Sequence, residues 1–108
     1  MKKCILATLA ITALALVSVR ADDAKATYEQ QCAKCHGNDG KGDTKMGKKL
    51  GAKDYTDAKV QADLKDDAAF KSIKEGLVKG DTTLMKPADG LSDDQIKGLV
   101  AYMRTFKK

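Results

Sequence analysis

The chain has 108 residues and a mass of 11.6 kDa, so it holds one small domain at most. Hydrophobic residues make up 43% and charged residues 32%, which is typical of a globular protein rather than of a disordered tail or a membrane bundle. Only five side chains are aromatic and none is Trp. A core built from these side chains alone would be thin.

The N-terminal segment has the pattern of a secretory signal peptide. Two lysines follow the initial methionine, and Ile5–Val19 is an apolar run. This run is shorter than the roughly 20 residues that span a bilayer. We therefore expect residues 1–21 to be a signal peptide and residues 22–108 to be a periplasmic domain. Arg20, beside the cleavage site, leaves open the alternative of an uncleaved membrane anchor.

The mature domain is only weakly basic. Without Lys2, Lys3 and Arg20, it carries 17 basic and 15 acidic residues, a net charge of +2. No dense basic stretch with interleaved aromatic residues remains, so we expect no nucleic-acid binding. Two cysteines remain, Cys32 and Cys35. One disulfide across so short a loop would stabilise a small domain weakly, so we expect another component to complete the core.

The first predicted helix runs from about Asp23 to Lys34, with Asp22 or Asp23 as its N-cap. Residues 37–51 are rich in Gly and Lys and show no regular pattern. They are predicted to be a loop.

Two shorter helices are predicted next. Thr56 is the expected cap of a helix that carries Val60 and Leu64, and Asp66 is the expected cap of another. The second has Gly76 near its end and apolar residues at helical spacing, namely Phe70, Ile73 and Leu77.

The last helix has the clearest signals. Ser92 and Gln95 match a capping box, and Leu91 with Ile96 matches a hydrophobic staple. An apolar stripe follows, made of Ile96, Leu99, Val100, Met103 and Phe106. The preceding residues 78–90 are predicted to be an extended loop. Because no strand pattern appears, the predicted class is all-α with about four helices.

Cys32, Cys35 and His36 form a C-x-x-C-H motif, the attachment signature of c-type haem. Thiols at i and i+3 lie on one side of a helical turn, where each can reach a vinyl group of the porphyrin. The next residue then places an imidazole on the iron. A structural zinc site would need four ligands, and a thioredoxin-type dithiol would follow a strand. Both remain weaker alternatives.

The mature chain resembles a class I cytochrome c of the small bacterial monohaem type. The resemblance covers nearly all of residues 23–108 and rests on three blocks, CAKCHGNDGKGD, LMKPADGLSDDQI and LVAYMRTF. It implies about four helices around one haem c that is covalently bound through Cys32 and Cys35, with His36 as the proximal iron ligand.

The sixth iron ligand has three candidates, Met46, Met85 and Met103. Met46 lies close to the motif, and Met103 belongs to the apolar stripe of the last helix. Met85 lies just before Pro87, where the family has its axial methionine. The resemblance therefore implies a His36–Met85 pair, and an open sixth position is the remaining alternative.

With both axial positions filled, no substrate can bind the metal. The resemblance then implies a periplasmic one-electron carrier rather than an enzyme. A Met/His pair raises the reduction potential of such an iron. The alternative is a five-coordinate haem c protein with ligand-binding or peroxidase-like activity.

Two positions depart from the family pattern. Ala24 stands where many members have a Gly at the crossing of the first and last helices. The stretch of residues 52–56 lacks the Pro whose carbonyl accepts a hydrogen bond from the proximal imidazole in many members. We expect a main-chain carbonyl near Lys53 to take that role.

Lysines cluster after the motif and flank the loop of Met85. They are expected either to be ordinary solvated side chains or to form a basic rim that guides an acidic redox partner. The expected partners are redox proteins, and we expect a monomer with no membrane span after removal of the leader. The rim residues are Lys41, Lys45, Lys48, Lys49, Lys53, Lys79 and Lys86.

Overall fold

The computed structural model of the protein describes residues 21–108. Apart from Ala21, the predicted signal peptide lies outside the described residues. Within residues 21–108 the chain forms six α-helices and one two-stranded sheet. In order, these are α1 (Ala21–Gln31), α2 (Ala33–His36), α3 (Lys45–Leu50), α4 (Ala58–Asp63), α5 (Asp66–Glu75), β1 (Leu77–Lys79), β2 (Thr82–Met85) and α6 (Asp93–Arg104).

The first predicted helix is divided into α1 and α2 at Cys32. The turn between them stays helical, because the Cys32 amide donates to the Tyr28 carbonyl at 2.8 Å and the His36 amide donates to the Cys32 carbonyl at 3.0 Å. The predicted N-cap is wrong. The helix has already begun at Ala21, so Asp22 and Asp23 lie in its first turn.

The predicted loop at residues 37–51 contains a helix, α3, so that prediction is wrong in part. The Thr44 hydroxyl caps α3 by accepting from the Gly47 amide at 2.8 Å. The helix ends at Gly51, which has a left-handed φ of +76°. The capping residues Thr44 and Gly51 can be recognised in the sequence, but the residues between them are mostly Lys and Gly and show no apolar periodicity that would predict a helix.

The starts of α4 and α5 differ from the predictions by one residue. Asp57, rather than Thr56, caps α4 and accepts from the Lys59 amide at 2.8 Å. Lys65 precedes α5, so Asp66 is the first residue of that helix rather than its cap. There its carboxylate faces the positive end of the helix dipole. Gly76 ends α5, as predicted.

A β-hairpin follows α5 in the region predicted to be a loop without strands. Strands β1 and β2 pair in antiparallel fashion, and Gly80 begins the connecting turn with a φ of +59°. The absence of strands was a wrong prediction, since strands of three and four residues are too short to show alternation. The hairpin adds little to a helical domain, and the predicted all-α class holds.

The capping box of α6 is confirmed. Ser92 accepts from the Gln95 amide at 3.1 Å, and the Gln95 side chain accepts from the Ser92 amide at 2.8 Å. Helix α6 packs on α1 and α5. Ala24, at the α1 side of this core, is buried. Four residues of the predicted stripe are buried in α6, namely Ile96, Leu99, Val100 and Met103.

Gln61 of α4 is a buried polar residue that joins this helix to α6. Its amide nitrogen donates to the Tyr55 carbonyl at 2.7 Å and to the Met103 carbonyl at 3.0 Å. Its side-chain oxygen accepts from Arg104 at 2.9 Å. Because each polar atom has a partner, the burial of this amide costs little. Tyr55 is thereby held against the core.

Across residues 21–108, the helices fall short of the combined length and hydrophobicity that a membrane crossing requires.

Candidate functional site

A cavity of about 410 Å³ lies between the C-x-x-C-H motif, α5 and the hairpin. Its volume falls in the range of about 300–1,000 Å³ that is common for cofactor sites. All four residues predicted to hold the cofactor line it, namely Cys32, Cys35, His36 and Met85. Motif and methionine are far apart in sequence, so only the fold brings them to one space.

The His36 side chain is half-buried, and its Nδ1 atom is buried without a hydrogen-bond partner. Burial lowers the pKa of this imidazole and so favours the neutral form that binds metals. His36 Nδ1 does not donate the expected hydrogen bond to a main-chain carbonyl near Lys53. Instead, the Tyr55 ring lies beside the imidazole, with 5.5 Å between the ring centroids.

Cys32 and Cys35 are free thiols that both face the cavity. Burial, followed by the charge of Cys35, raises the pKa of the Cys32 thiol to about 11. Nucleophilic cysteines of the thioredoxin type have a lowered pKa instead, so the dithiol alternative fits poorly. In the part of the chain that the structure describes, no three His, Cys, Asp or Glu side chains converge as metal ligands. The zinc alternative therefore gains no support.

The backbone around the motif is fixed by three hydrogen bonds from outside it. The Tyr28 hydroxyl donates to the Gly37 carbonyl at 2.7 Å. Burial is the main cause that raises the pKa of Tyr28, so the hydroxyl stays protonated and can donate. The Thr44 hydroxyl donates to the Cys35 carbonyl at 2.8 Å. The Gly42 amide donates to the His36 carbonyl at 2.8 Å. The direction of the His36 side chain is thus set by a rigid main chain.

The structure narrows the choice among the three methionines. Met85 and Met103 line the cavity, and Met46 does not. Met46 lies on α3 with 36% of its surface exposed. Met103 is buried in the apolar face of α6, as expected of a packing residue, whereas Met85 ends strand β2.

The residues around the cavity fit a flat, apolar, iron-containing cofactor. Two thiols, an imidazole and a thioether supply the polar and soft groups. The buried Nδ1 atom of His36, which has no hydrogen-bond partner, shows that the imidazole lies against protein rather than water. Aliphatic side chains form much of the remaining wall, namely Leu50, Leu64, Ile73, Leu77 and Leu84.

Tyr55 is a site residue that the sequence analysis missed. Its side chain is buried and lies against both the core and His36. Burial raises the pKa of its hydroxyl. The available signal was an aromatic residue in an otherwise polar stretch, at the place where the expected proline is absent.

The predicted basic rim is only partly reproduced. Of the predicted lysines, Lys53 lines the cavity, and Lys65, which was not predicted, lines it as well. Lys48 forms a salt bridge with Asp43 at 2.9 Å instead. Two apolar residues are exposed on the hairpin beside the cavity, Leu77 at 44% and Val78 at 68%. The carboxylate of Asp63 lines the cavity as well, so the lining combines two positive charges and one negative charge beside exposed apolar surface.

Comparison with known proteins gives a consistent result. Residues 19–103 match the family model described as cytochrome C oxidase, cbb3-type, subunit III. The KustC0563 c-type cytochrome is 36% identical, with a TM-score of 0.70 over 79% of this chain and 98% of that one. A tyrosine-to-phenylalanine mutant of Kustc0563 is 35% identical, with a TM-score of 0.68 over 79% and 99%.

A third similar structure is the reducing HAO-like protein complex Kustc0457/Kustc0458 of Kuenenia stuttgartiensis. It is 23% identical, with a TM-score of 0.59 over 78% of this chain and 41% of that one, and it shares the fold alone. No curated protein matches the chain significantly.

Proposed function

Because the chain belongs to the cytochrome c family and is a small monohaem member with covalently bound haem c, we propose that it is a periplasmic one-electron carrier. In this proposal Cys32 and Cys35 form the thioether bonds, and His36 and Met85 are the axial ligands. The observation that supports it most strongly is the cavity that all four side chains share.

When bound, haem c supplies an iron that gains and loses one electron. The chain tethers the group through two sulfurs and offers a neutral imidazole on a fixed backbone. The Met85 thioether is a soft ligand that favours Fe(II), and the apolar wall disfavours additional charge, so both raise the potential. If His36 and Met85 both held the iron, no open position would remain on the metal for a substrate.

The competing function is a five-coordinate haem protein with ligand-binding or peroxidase-like activity. Uptake of carbon monoxide by the reduced protein distinguishes the two, because the gas needs an open axial position. We expect the unaltered protein to show a low-spin spectrum that carbon monoxide does not change. Ready uptake would support the competing function.

Three methionine-to-leucine variants test the axial assignment, because this exchange conserves volume. We expect M85L to take up carbon monoxide readily, and M103L and M46L to behave like the unaltered protein. Met103 lines the same cavity, so it controls for packing, and Met46 controls for the exchange at an exposed site. Carbon monoxide uptake by M103L but not by M85L would contradict the assignment.

Covalent attachment has its own test. We expect the haem to stay with the protein in acidified organic solvent and to be extracted from a C32A/C35A variant. Extraction from the unaltered protein would disprove thioether bonds at Cys32 and Cys35.

We propose that the redox partner docks at the cavity mouth through an acidic surface. The support is the lining of the cavity, in which Lys53 and Lys65 outnumber the single carboxylate of Asp63, beside the exposed apolar Leu77 and Val78. Electron transfer with the partner should then slow as ionic strength rises. K53Q and K65Q should slow it at low salt, whereas K97Q, on the exposed face of α6 away from the cavity, should not.

Export is tested by the N-terminus of the accumulated protein. We expect a periplasmic product that starts at Asp22, after removal of residues 1–21. A membrane-bound product that retains those residues would show an uncleaved anchor instead.

A further inference from the structure

The hairpin contains an irregularity next to Met85. Leu77 pairs with Met85, but its neighbour Val78 pairs with Thr83. One residue of β2, Leu84, is therefore extra and forms a bulge. Bulges turn the side chains that follow them, and here Leu84 and Met85 both line the cavity, although neighbours on a regular strand face opposite sides.

The end of α5 lies directly against the Met85 backbone. Gly76 has a φ of +81° and a ψ of 178°, a conformation that is essentially restricted to glycine. A Cβ atom at this position would lie 2.5 Å from the Met85 carbonyl oxygen and 3.0 Å from Cδ of Pro87. The two segments approach so closely only because Gly76 has no side chain.

The segment is also fixed just beyond Pro87. The Ala88 amide donates to the carbonyl of Ile73, in the last turns of α5, at 2.9 Å. Ile73 is buried and lines the cavity. The chain is thus held to the end of α5 at Met85 itself, through the contact with Gly76, and three residues later through the Ala88–Ile73 hydrogen bond.

We propose that Gly76 is a positioning residue for Met85. Its bare α-carbon lets the Met85 backbone rest on the end of α5, and this contact directs the thioether into the cavity. The inference rests on the proposed role of Met85 as an axial ligand. A side chain at position 76 displaces the Met85 backbone and weakens that ligation.

The test compares G76A with G90A in the haem-loaded protein. Gly90 has nearly the same φ, +79°, but a Cβ there would meet nothing within 4 Å. Carbon monoxide uptake by the reduced protein measures the fraction of molecules in which the thioether has left. We expect G76A to raise the apparent affinity for the gas about tenfold or more and G90A to change it less than about twofold, because apparent affinity follows the competent fraction.

A second measurement does not depend on the binding of carbon monoxide to the iron. Alkylation of the Met85 thioether, followed by mass spectrometry, should proceed faster in G76A than in G90A. If G76A lowers the stability of the protein and leaves both carbon monoxide uptake and alkylation unchanged, Gly76 is merely structural and the proposal is overturned.

P87A provides a variant in which Gly76 is retained. It removes the ring that lies against Gly76 beside the Met85 carbonyl, and because this loosens the same contact we expect a smaller rise in gas affinity than in G76A. If G76A does not accumulate with haem, P87A decides the matter, and unchanged uptake by P87A would overturn the proposal.

M85L separates this inference from the proposed function. If M85L leaves gas uptake unchanged, the axial assignment is wrong and the inference is overturned with it. If M85L raises uptake but G76A and P87A do not, the axial assignment stands and only the role of Gly76 is overturned.

Discussion

The two walls of the cavity are built differently. The motif wall, residues 28–55, is held by hydrogen bonds that link its helices and loops, such as those from the Tyr28 and Thr44 hydroxyls. The hairpin wall, residues 77–88, is largely exposed, and Val78 keeps 68% of its surface in solvent. Its attachment to α5 consists of the contact at Gly76 and the Ala88–Ile73 hydrogen bond.

This difference indicates that the two walls have different roles in the site. The motif wall fixes the cofactor's attachment, so its backbone is rigid and tolerates little change. The hairpin wall carries Met85, the proposed axial ligand, and an exposed surface, and we expect local opening there to leave the rest of the fold intact. Segments with few buried contacts are the ones that open at the lowest free energy.

The largest expected effect is that of G47A in the motif wall. A Cβ on Gly47 would meet the carbonyl oxygens of Cys35 and Gly42, which are backbone atoms and cannot move aside. We expect a loss of about 3 kcal/mol in the free energy of unfolding, measured by denaturant titration. In the control G51A, a Cβ would meet nothing within 4 Å, and the positive φ alone should cost about 1 kcal/mol. Equal losses would contradict the rigidity of the motif wall.

Hydrogen exchange compares the two walls directly. The Gly42 and Tyr55 amides donate to carbonyls within the motif wall, whereas the Ala88 amide fixes the hairpin wall. We expect Ala88 to exchange through openings that cost about 2 kcal/mol less than those of Gly42 and Tyr55. Similar protection at all three amides would show that the walls open together.

A smaller effect is expected from T44A. The Thr44 hydroxyl caps α3 and also donates to the Cys35 carbonyl. Its loss should lower the free energy of unfolding by about 1 kcal/mol. T44S keeps the hydroxyl and should retain most of the stability, whereas equal losses in the two variants would assign the effect to the methyl group.

The smallest effect concerns a turn at the edge of the motif wall. Hydrogen bonds from the side chain and then the amide of Thr56 lower the pKa of the Asp54 carboxyl. Since the folded-state pKa lies below the unfolded one, the stabilisation is present above the unfolded pKa and is lost as pH falls through the folded pKa. An NMR titration should show the Asp54 pKa rising in T56A and staying low in T56S.

The sequence predictions succeeded for local motifs and failed for short elements in both walls. Cys32, Cys35 and His36 form a local motif whose chemistry depends on spacing alone. The box of Ser92 and Gln95 is local as well, and it was confirmed. Helix α3 and the hairpin strands were missed because they are too short to show a periodic apolar pattern.

The sequence by itself determined the cofactor class, the all-α class and the last helix, because each depends on residues a few positions apart. Only the tertiary structure decided which methionines reach the cavity, that Tyr55 lies against His36, and that Gly76 lies beneath Met85. These are contacts between segments distant in sequence. They depend on how backbones pack, which no local pattern records.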